Sequence, residues 1–252
     1  MNKIIGIVGG LGPHAGIDLA KKIFDQTLAT IDQDHLPIII FSFPADISDR
    51  TEFLTGKSHV NPAGGIVKVI KKLYESGATI IGIACNTAHV PPIYNVIKTE
   101  IEKAGLKIQL VHLIDEVAKF INKNHPAIKN VGIISTIGSY NTCLYDDVFK
   151  RNEINSIIPA QKFIQMIHEA IYDPSIGLKA QTNPITRAAK SKIKRTINHL
   201  KQKGANAIVL GCTELPLAIT EAKIADLAII DPTVILARAL IREANPDRLK
   251  PL

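Results

Sequence analysis

Gly77-Ala-Thr-Ile-Ile-Gly-Ile-Ala-Cys85-Asn-Thr87 and Gly204-Ala-Asn-Ala-Ile-Val-Leu-Gly-Cys212-Thr-Glu214 are two versions of one pattern. Each opens on Gly-Ala, runs through apolar residues, and reaches a cysteine eight positions after its first glycine. A second pair repeats the correspondence, Ile5-Gly-Ile-Val-Gly-Gly-Leu-Gly12 against Val131-Gly-Ile-Ile-Ser-Thr-Ile-Gly138. Gly6 and Gly132 lie 126 positions apart and the two cysteines 127, so two independent matches agree on the offset to within one residue. The chain therefore reads as an internal duplication with one such cysteine in each copy.

Around these stretches, short β-rich runs alternate with helical patterns from end to end. Strands are expected over residues 4–8, 38–43, 79–84, 108–111, 131–135, 156–158, 207–210 and 227–230. Helices are expected over 15–28, 62–75, 92–103, 113–122, 141–151, 162–172, 184–203 and 233–243. Long loops at 46–60 and 173–183 are places where binding residues gather. Strict alternation points to a parallel α/β protein. Eight strand-helix units also describe a closed (β/α)8 barrel. Against the barrel, each copy places a small-residue turn after its first strand and a cysteine after a later one. Two equivalent open sheets whose carboxyl ends face each other would bring these four loops into one cleft. The expected fold is thus α/β, with two pseudo-symmetric open parallel-sheet lobes and the active site between them.

Composition excludes several other classes. With 46% hydrophobic and 21% charged residues among 252, the chain is neither disordered nor collagen-like. Cys85, Cys143 and Cys212 are far apart and form no C-x-x-C, which argues against a disulfide framework or a structural zinc and suits a reducing cytoplasm. Cys143 has no counterpart in the other copy and reads as structural. The N-terminal apolar run breaks at glycine, and no stretch approaches the ~18 apolar residues of a membrane span, so neither a signal peptide nor a membrane partner is expected. The net charge of +7 is concentrated in Lys190, Lys192, Lys194, Arg195, Lys201 and Lys203. The apolar residues of that segment, Ile185, Ala188, Ala189, Ile193, Ile197 and Leu200, follow helical spacing and leave the charges on a solvated face. No aromatic residues interleave with them to stack bases, so a nucleic-acid partner is not expected.

Two phosphate-loop patterns fail on context. Gly10-Leu-Gly12-Pro-His-Ala15 fits G-x-G-x-x-[GA], but Asp32 and Asp34 precede the second strand instead of ending it. Gly56-Lys57-Ser58 lacks its leading glycine, since Thr51 holds that place. The Gly12 turn can still offer backbone N–H groups to a carboxylate at a helix start. Cys85 and Cys212 should each emerge at the carboxyl end of a central strand. Paired thiols on equivalent lobes suit a substrate that needs a base on one side and an acid on the other, and a thiol pKa of about 8.5 lets the group take either form. Cys85-Asn-Thr-Ala-His89 lacks the second pair that a metal site requires, so no metal is expected.

At these residues the sequence resembles the aspartate/glutamate racemase superfamily, most closely the aspartate racemases and their broad-specificity relatives. The matching motifs are Gly9-Gly10-Leu11-Gly12-Pro13, Asp49-Arg50-Thr51 with Gly56-Lys57 and Asn61-Pro62, Cys85-Asn86-Thr87-Ala88-His89, and Gly211-Cys212-Thr213-Glu214. The resemblance covers essentially the whole chain. It implies two α/β lobes with the C-terminal segment folding back onto the first, residues 1–108 and 215–252 against 109–214. It also implies what is commonly a homodimer, using neither pyridoxal phosphate nor metal. Ser139 stands where the family usually has threonine, and a hydroxyl is kept.

The expected function is cofactor-independent inversion of an amino-acid α-carbon, with aspartate as first substrate and Cys85 and Cys212 as the two catalytic thiols. Gly12, Pro13, Asn86, Thr87, Ser139, Thr142 and Thr213 are expected around the substrate, with Arg50 and Lys179 for an acidic side chain. His14, His89 and Glu214 are candidate supporting groups. The alternatives are a broad-specificity racemase of neutral amino acids and, in another class, an amino-acid-binding sensor without turnover.

Overall fold

Four parallel strands and the helices between them carry the first cysteine. The computed structural model describes residues 3–252. The chain falls into two units, one running to Glu116 and resuming at Thr233, the other spanning Val117–Pro232. In the first, β1 (Ile4–Gly9) leads into α1 (Pro13–Gln26), then β2 (Ile38–Ser42) and the short α2 (Arg50–Leu54). Next come α3 (Ala63–Glu75), β3 (Ala78–Ile83), α4 (Pro91–Lys103), β4 (Gln109–Val111) and α5 (Leu113–Asn124), within which the chain passes to the second unit. That unit continues through β5 (Asn130–Ser135), α6 (Ile137–Asn141), α7 (Leu144–Arg151), β6 (Asn155–Ile157), α8 (Gln161–Tyr172) and α9 (Arg187–Gln202). It ends with β7 (Ala207–Gly211), α10 (Leu215–Ala218), β8 (Lys223–Ile224) and β9 (Leu227–Ile230), before α11 (Pro232–Ala244) rejoins the first unit.

The first sheet has the order β2-β1-β3-β4 and is parallel throughout. The second has the order β6-β5-β7-β9-β8 and is parallel except for β8, which runs antiparallel to β9. Both sheets are open, so the closed barrel is not formed. The central strands β1, β3, β5 and β7 are predominantly apolar and almost entirely buried, as strands covered by helices on both faces must be. Leu19 and Ile23 of α1 and Ile66, Ile70 and Leu73 of α3 recur at helical spacing and are fully buried in the first unit. Ile167 and Ile171 of α8 and Ile193, Ile197 and Leu200 of α9 join Ile208 and Leu210 of β7 in the core of the second.

In each sheet the order reverses beside its first strand, between β1 and β3 and between β5 and β7, which is where open α/β sheets bind ligands. Val8 pairs with Ile83, and Ser135 with Gly211. The turn after β1 therefore lies beside the segment that carries Cys85, and the turn after β5 beside Cys212. The duplication expected from spacing is visible as this shared arrangement.

Four expectations change. The helix expected over 141–151 is two helices, α6 and α7, because Cys143 between them adopts a left-handed backbone (φ 50°). Cys143 is exposed there, so its expected structural role in packing does not hold. The loop expected over 46–60 contains α2, started by Asp49 Oδ1, which accepts the Thr51 and Glu52 N–H groups at 2.8 and 3.0 Å. Residues 215–232, which the family resemblance grouped with the first lobe, fall in the second unit, where β9 pairs with β7.

Two glycines let loops close over the first sheet. Gly10 has φ +85°, and a β-carbon there would meet the Phe43 and Pro44 backbone at 2.9 Å. Gly65 in α3 leaves no room for a β-carbon against the Asp46 carbonyl, whereas its neighbour Gly64 faces open space. Gly65→Ala is expected to destabilise the protein by about 1–3 kcal/mol. Gly64→Ala is expected to stabilise it by about 0.5–1 kcal/mol. Denaturant unfolding of both variants checks the opposite signs.

Candidate active site

The first cysteine sits where β3 ends. The Cys85 N–H turns back to the Ile83 carbonyl at 2.8 Å, and a single 3-10 turn over Thr87–His89 follows before Pro91 opens α4. Cys85, Asn86, Thr87 and His89 are all buried. His89 Nδ1 lies 2.8 Å from the Cys85 carbonyl, so Nδ1 carries the hydrogen and donates it. The ring stacks on Tyr94 at 5.3 Å and meets the edge of His112 at 5.0 Å. Burial, and then the nearby His112, depress its pKa to about 3. His89 is consequently a neutral brace behind the thiol and not an acid at neutral pH.

Gly12 is buried at the N-cap of α1, where its carbonyl accepts the N–H groups of Ala15 and Gly16, while Pro13 and His14 are exposed on the first turn. Arg50 is 6% exposed. Its Nη2 donates to the Leu11 carbonyl and its Nη1 to the Ser48 carbonyl at 3.2 Å. The guanidinium therefore braces the β1–α1 turn from α2.

The second cysteine follows β7. The Gly211 carbonyl accepts the Ser135 hydroxyl at 2.6 Å, tying the ends of β5 and β7 together. Cys212 Sγ donates to Glu214 Oε2 at 2.9 Å, and Thr213 Oγ1 lies 3.4 Å from the same oxygen. Lys179 Nζ donates to Glu214 Oε1 at 3.2 Å. The segment 173–183 that delivers Lys179 is pinned, with Leu178 and Lys179 N–H groups bonded to the Ala170 and Ile171 carbonyls at 2.9 and 3.1 Å. Burial foremost, and then the Glu214 charge, push the Cys212 thiol well above its ordinary pKa, with Lys179 opposing.

At the end of β5, Thr136 caps α6. Its Oγ1 accepts the Ser139 N–H at 3.3 Å and lies 3.1 Å from the Ser139 hydroxyl. The Thr142 hydroxyl donates to the Gly138 carbonyl at 2.9 Å, which closes the same turn. Tyr140 OH sits between the Ser135 N–H and the Ile133 carbonyl, at 2.9 and 2.8 Å. Thr136 and Tyr140 were not singled out from the sequence. Thr136 was readable as a capping residue that answers Gly10 in the repeat. The contacts of Tyr140 depend on a fold-back that local pattern does not announce.

The structure thus joins Cys85, Asn86, Thr87 and His89 in one local group, Gly12 and Arg50 in a second, and Cys212, Thr213, Glu214 and Lys179 in a third. Among the described residues no group of three or more His, Cys, Asp or Glu side chains is disposed to hold a metal ion.

Residues 8–240 match the family described as Asp/Glu/hydantoin racemase. The chain belongs to that family. It is 27% identical over 243 residues to the broad-specificity amino-acid racemase RacX of Bacillus subtilis, covering 94% of this chain and 96% of that protein. Among solved structures it resembles the aspartate racemase of Picrophilus torridus, with 32% identity, a TM-score of 0.80 and coverage of 98% and 96% of the two chains. An aspartate racemase homologue from Pyrococcus horikoshii shares the fold, with a TM-score of 0.69, 22% identity and coverage of 97% and 99%.

The buried His89 makes stability depend on pH. Its folded pKa of about 3 lies below the ordinary histidine value of 6.5, so the unfolded chain binds the extra proton between those limits. Stability is expected to rise with pH from about 3 to 6.5 and to lose this contribution as pH falls through that window. His89→Asn, which keeps an N–H donor for the Cys85 carbonyl, should flatten that part of the profile in unfolding titrations at several pH values.

Proposed function

We propose that the chain is a cofactor-independent amino-acid racemase acting first on aspartate, with Cys85 and Cys212 as its two acid-base groups. The observation that carries this reading is the repeat itself, a buried cysteine at the carboxyl end of β3 and again of β7, each beside a tight turn. One thiolate takes the α-hydrogen as a proton and leaves the electron pair on the α-carbon. The other thiol gives its proton to the opposite face, so the two sulfurs exchange protonation states in one turnover. The turns at Gly12–Pro13 and Ser139, with Thr142, Asn86, Thr87 and Thr213, would hold the α-carboxylate and the charge that develops beside it.

Aspartate is placed first because the Picrophilus torridus relative carries that name and the Asp49-Arg50-Thr51 segment resembles the aspartate racemases. A second reading, broad specificity for neutral amino acids, draws on the partners of the two basic residues. Arg50 is engaged by the Leu11 and Ser48 carbonyls and Lys179 by Glu214, as side chains with structural duties would be. The RacX relative agrees with that reading.

The proposed setting is a cytoplasmic homodimer. No helix among the described residues is long and apolar enough to cross a membrane. The three free cysteines suit a reducing compartment. The outer face of α1 and the segment after it present exposed Ile17, Phe24, Leu28 and Ile31, apolar surface that a second subunit could cover. Nucleic acid is not a proposed partner, since Lys192, Lys194 and Lys201 are paired with Glu169, Glu221 and Asp226 at 2.6, 3.1 and 2.5 Å.

Cys85→Ser and Cys212→Ser should each reduce racemisation to less than about one tenth of wild type, because a serine hydroxyl is too weak an acid to supply the base. Each should still exchange the α-proton of one enantiomer with deuterated water, which a sensor without turnover would not do. Chiral chromatography and proton NMR on a panel of L-amino acids measure both. Arg50→Ala should lower kcat/KM for aspartate by at least about tenfold while sparing neutral substrates. Equal loss on all substrates would limit Arg50 to its bracing of the β1–α1 turn and favour the broad-specificity reading.

A further inference from the structure

The two halves of the repeat differ in what stands beside the cysteine strand. β4 and β9 hold the same place, next to β3 and β7 on the side away from β1 and β5. Each is followed by a titratable residue that precedes a helix, His112 before α5 and Asp231 before α11. Val111 pairs with Gly82, so His112 follows directly beside the end of β3. His112 has two duties there. Its Nδ1 accepts the Asp115 N–H at 3.2 Å, which caps the first turn of α5. Its ring meets His89 at 5.0 Å and Tyr94 at 4.6 Å, nearly perpendicular to both, and those two rings stack on each other. His89 in turn holds the Cys85 carbonyl through Nδ1 at 2.8 Å. His89 is buried and stays neutral, whereas the His112 side chain is 20% exposed and open to protons from solvent. The charged and titratable groups around His112 are Asp115 and Glu116 on α5, His89, Tyr94 with Lys98 over its ring on α4, and Arg242 of α11 on Glu116.

We propose that His112 is a positioning residue for Cys85, acting through His89, and that it holds the turn only while its ring is neutral. The inference rests on the racemase reading above. A proton taken from solvent onto Nδ1 turns the acceptor of the cap into a donor, and the Asp115 N–H loses its partner. The cation would then stand at the positive end of α5, where it is unfavourable. Asp115 Oδ2, 3.2 Å from Nδ1, is the acceptor that draws the ring away. Turning toward that carboxylate takes the ring edge off His89 and Tyr94, and the grip on the Cys85 carbonyl loosens. Racemisation through Cys85 thus fails on the acid side for a reason separate from the ionisation of its thiol. The second half, with Asp231 in that place, lacks the device.

Two variants that cannot titrate test this, His112→Phe, which keeps a ring, and His112→Asn, which keeps an acceptor for the Asp115 N–H. In the Cys212→Ser background, where Cys85 works alone, α-deuterium incorporation is followed from pH 8 to pH 5.5, the range in which histidine ordinarily changes charge. The protein with His112 should lose at least about fivefold more exchange over that range than either variant. In the Cys85→Ser background the same comparison should differ by less than about twofold. Labelling of Cys85 by N-ethylmaleimide in the otherwise unaltered protein, read on its peptide by mass spectrometry, should move the other way. Relative to His112→Phe it should be at least about threefold faster at pH 5.5 and similar at pH 8, since a loosened turn exposes the thiol and a nearby cation favours the thiolate. Exchange that falls in parallel with and without His112, an equal extra loss in both backgrounds, or exchange and labelling that rise together would overturn the proposal. If no protein exchanges any amino acid of the panel at pH 8, the racemase reading fails. The labelling ratio then decides alone whether His112 governs the Cys85 turn, and a ratio that does not change with pH overturns that as well.

Discussion

Parallel pairing of β1 with β3 and of β5 with β7 is the constraint on which the chemistry depends. A parallel ladder fixes register along the whole strand, and a slip of one residue would turn every side chain to the opposite face. With Val8 opposite Ile83 and Ser135 opposite Gly211, each first strand ends level with its cysteine-bearing neighbour. The glycine turn, the capped turn at Thr136 and both thiols take their places from hydrogen bonds made several residues away. In the second unit the Ser135 hydroxyl on the Gly211 carbonyl adds a side-chain tie at the point where the ladder stops.

On that shared scaffold the two copies have diverged in what surrounds the sulfur. Cys85 has a neutral ring behind its backbone, held in an aromatic group with Tyr94 and His112. Cys212 has a carboxylate at its sulfur and a lysine beyond it. Duplication explains the equivalence of position. The partners of the two sulfurs have diverged while the strand ends that carry them have not.

The repeat, the alternation of strand and helix and the two cysteines were legible in the sequence because each is a local pattern or a fixed spacing. Partnerships across the fold were not. Nothing near Arg50 in sequence indicates that its guanidinium reaches the Leu11 carbonyl, thirty-nine residues earlier. Lys179 and Glu214 are likewise joined by a turn pinned to the end of α8. Basic residues read as free to meet a substrate are therefore engaged with the protein. The break between α6 and α7 was hidden for a different reason, since Cys143 is not a residue type that advertises a left-handed backbone. The short α2 is a single turn and a half, marked in the sequence by the capping Asp49 at its start and Gly56 just past its end.

The first unit is discontinuous, and this has a consequence for how the chain is made. Helix α11 packs Leu240 against Gly82 of β3, and Arg242 of the same helix reaches Glu116 at 2.9 Å. The tail beyond it bonds back to the end of α1, through Leu28 N–H to the Arg248 carbonyl at 2.7 Å and Lys250 N–H to the Gln26 carbonyl at 3.0 Å. During synthesis the segment Val117–Pro232 is made before any residue of α11 or of the tail beyond it. The half that is translated first is thus the half that finishes last. Until α11 arrives, the strand leading to Cys85 lacks part of its cover, and a chain stalled before it would display that surface to chaperones and proteases.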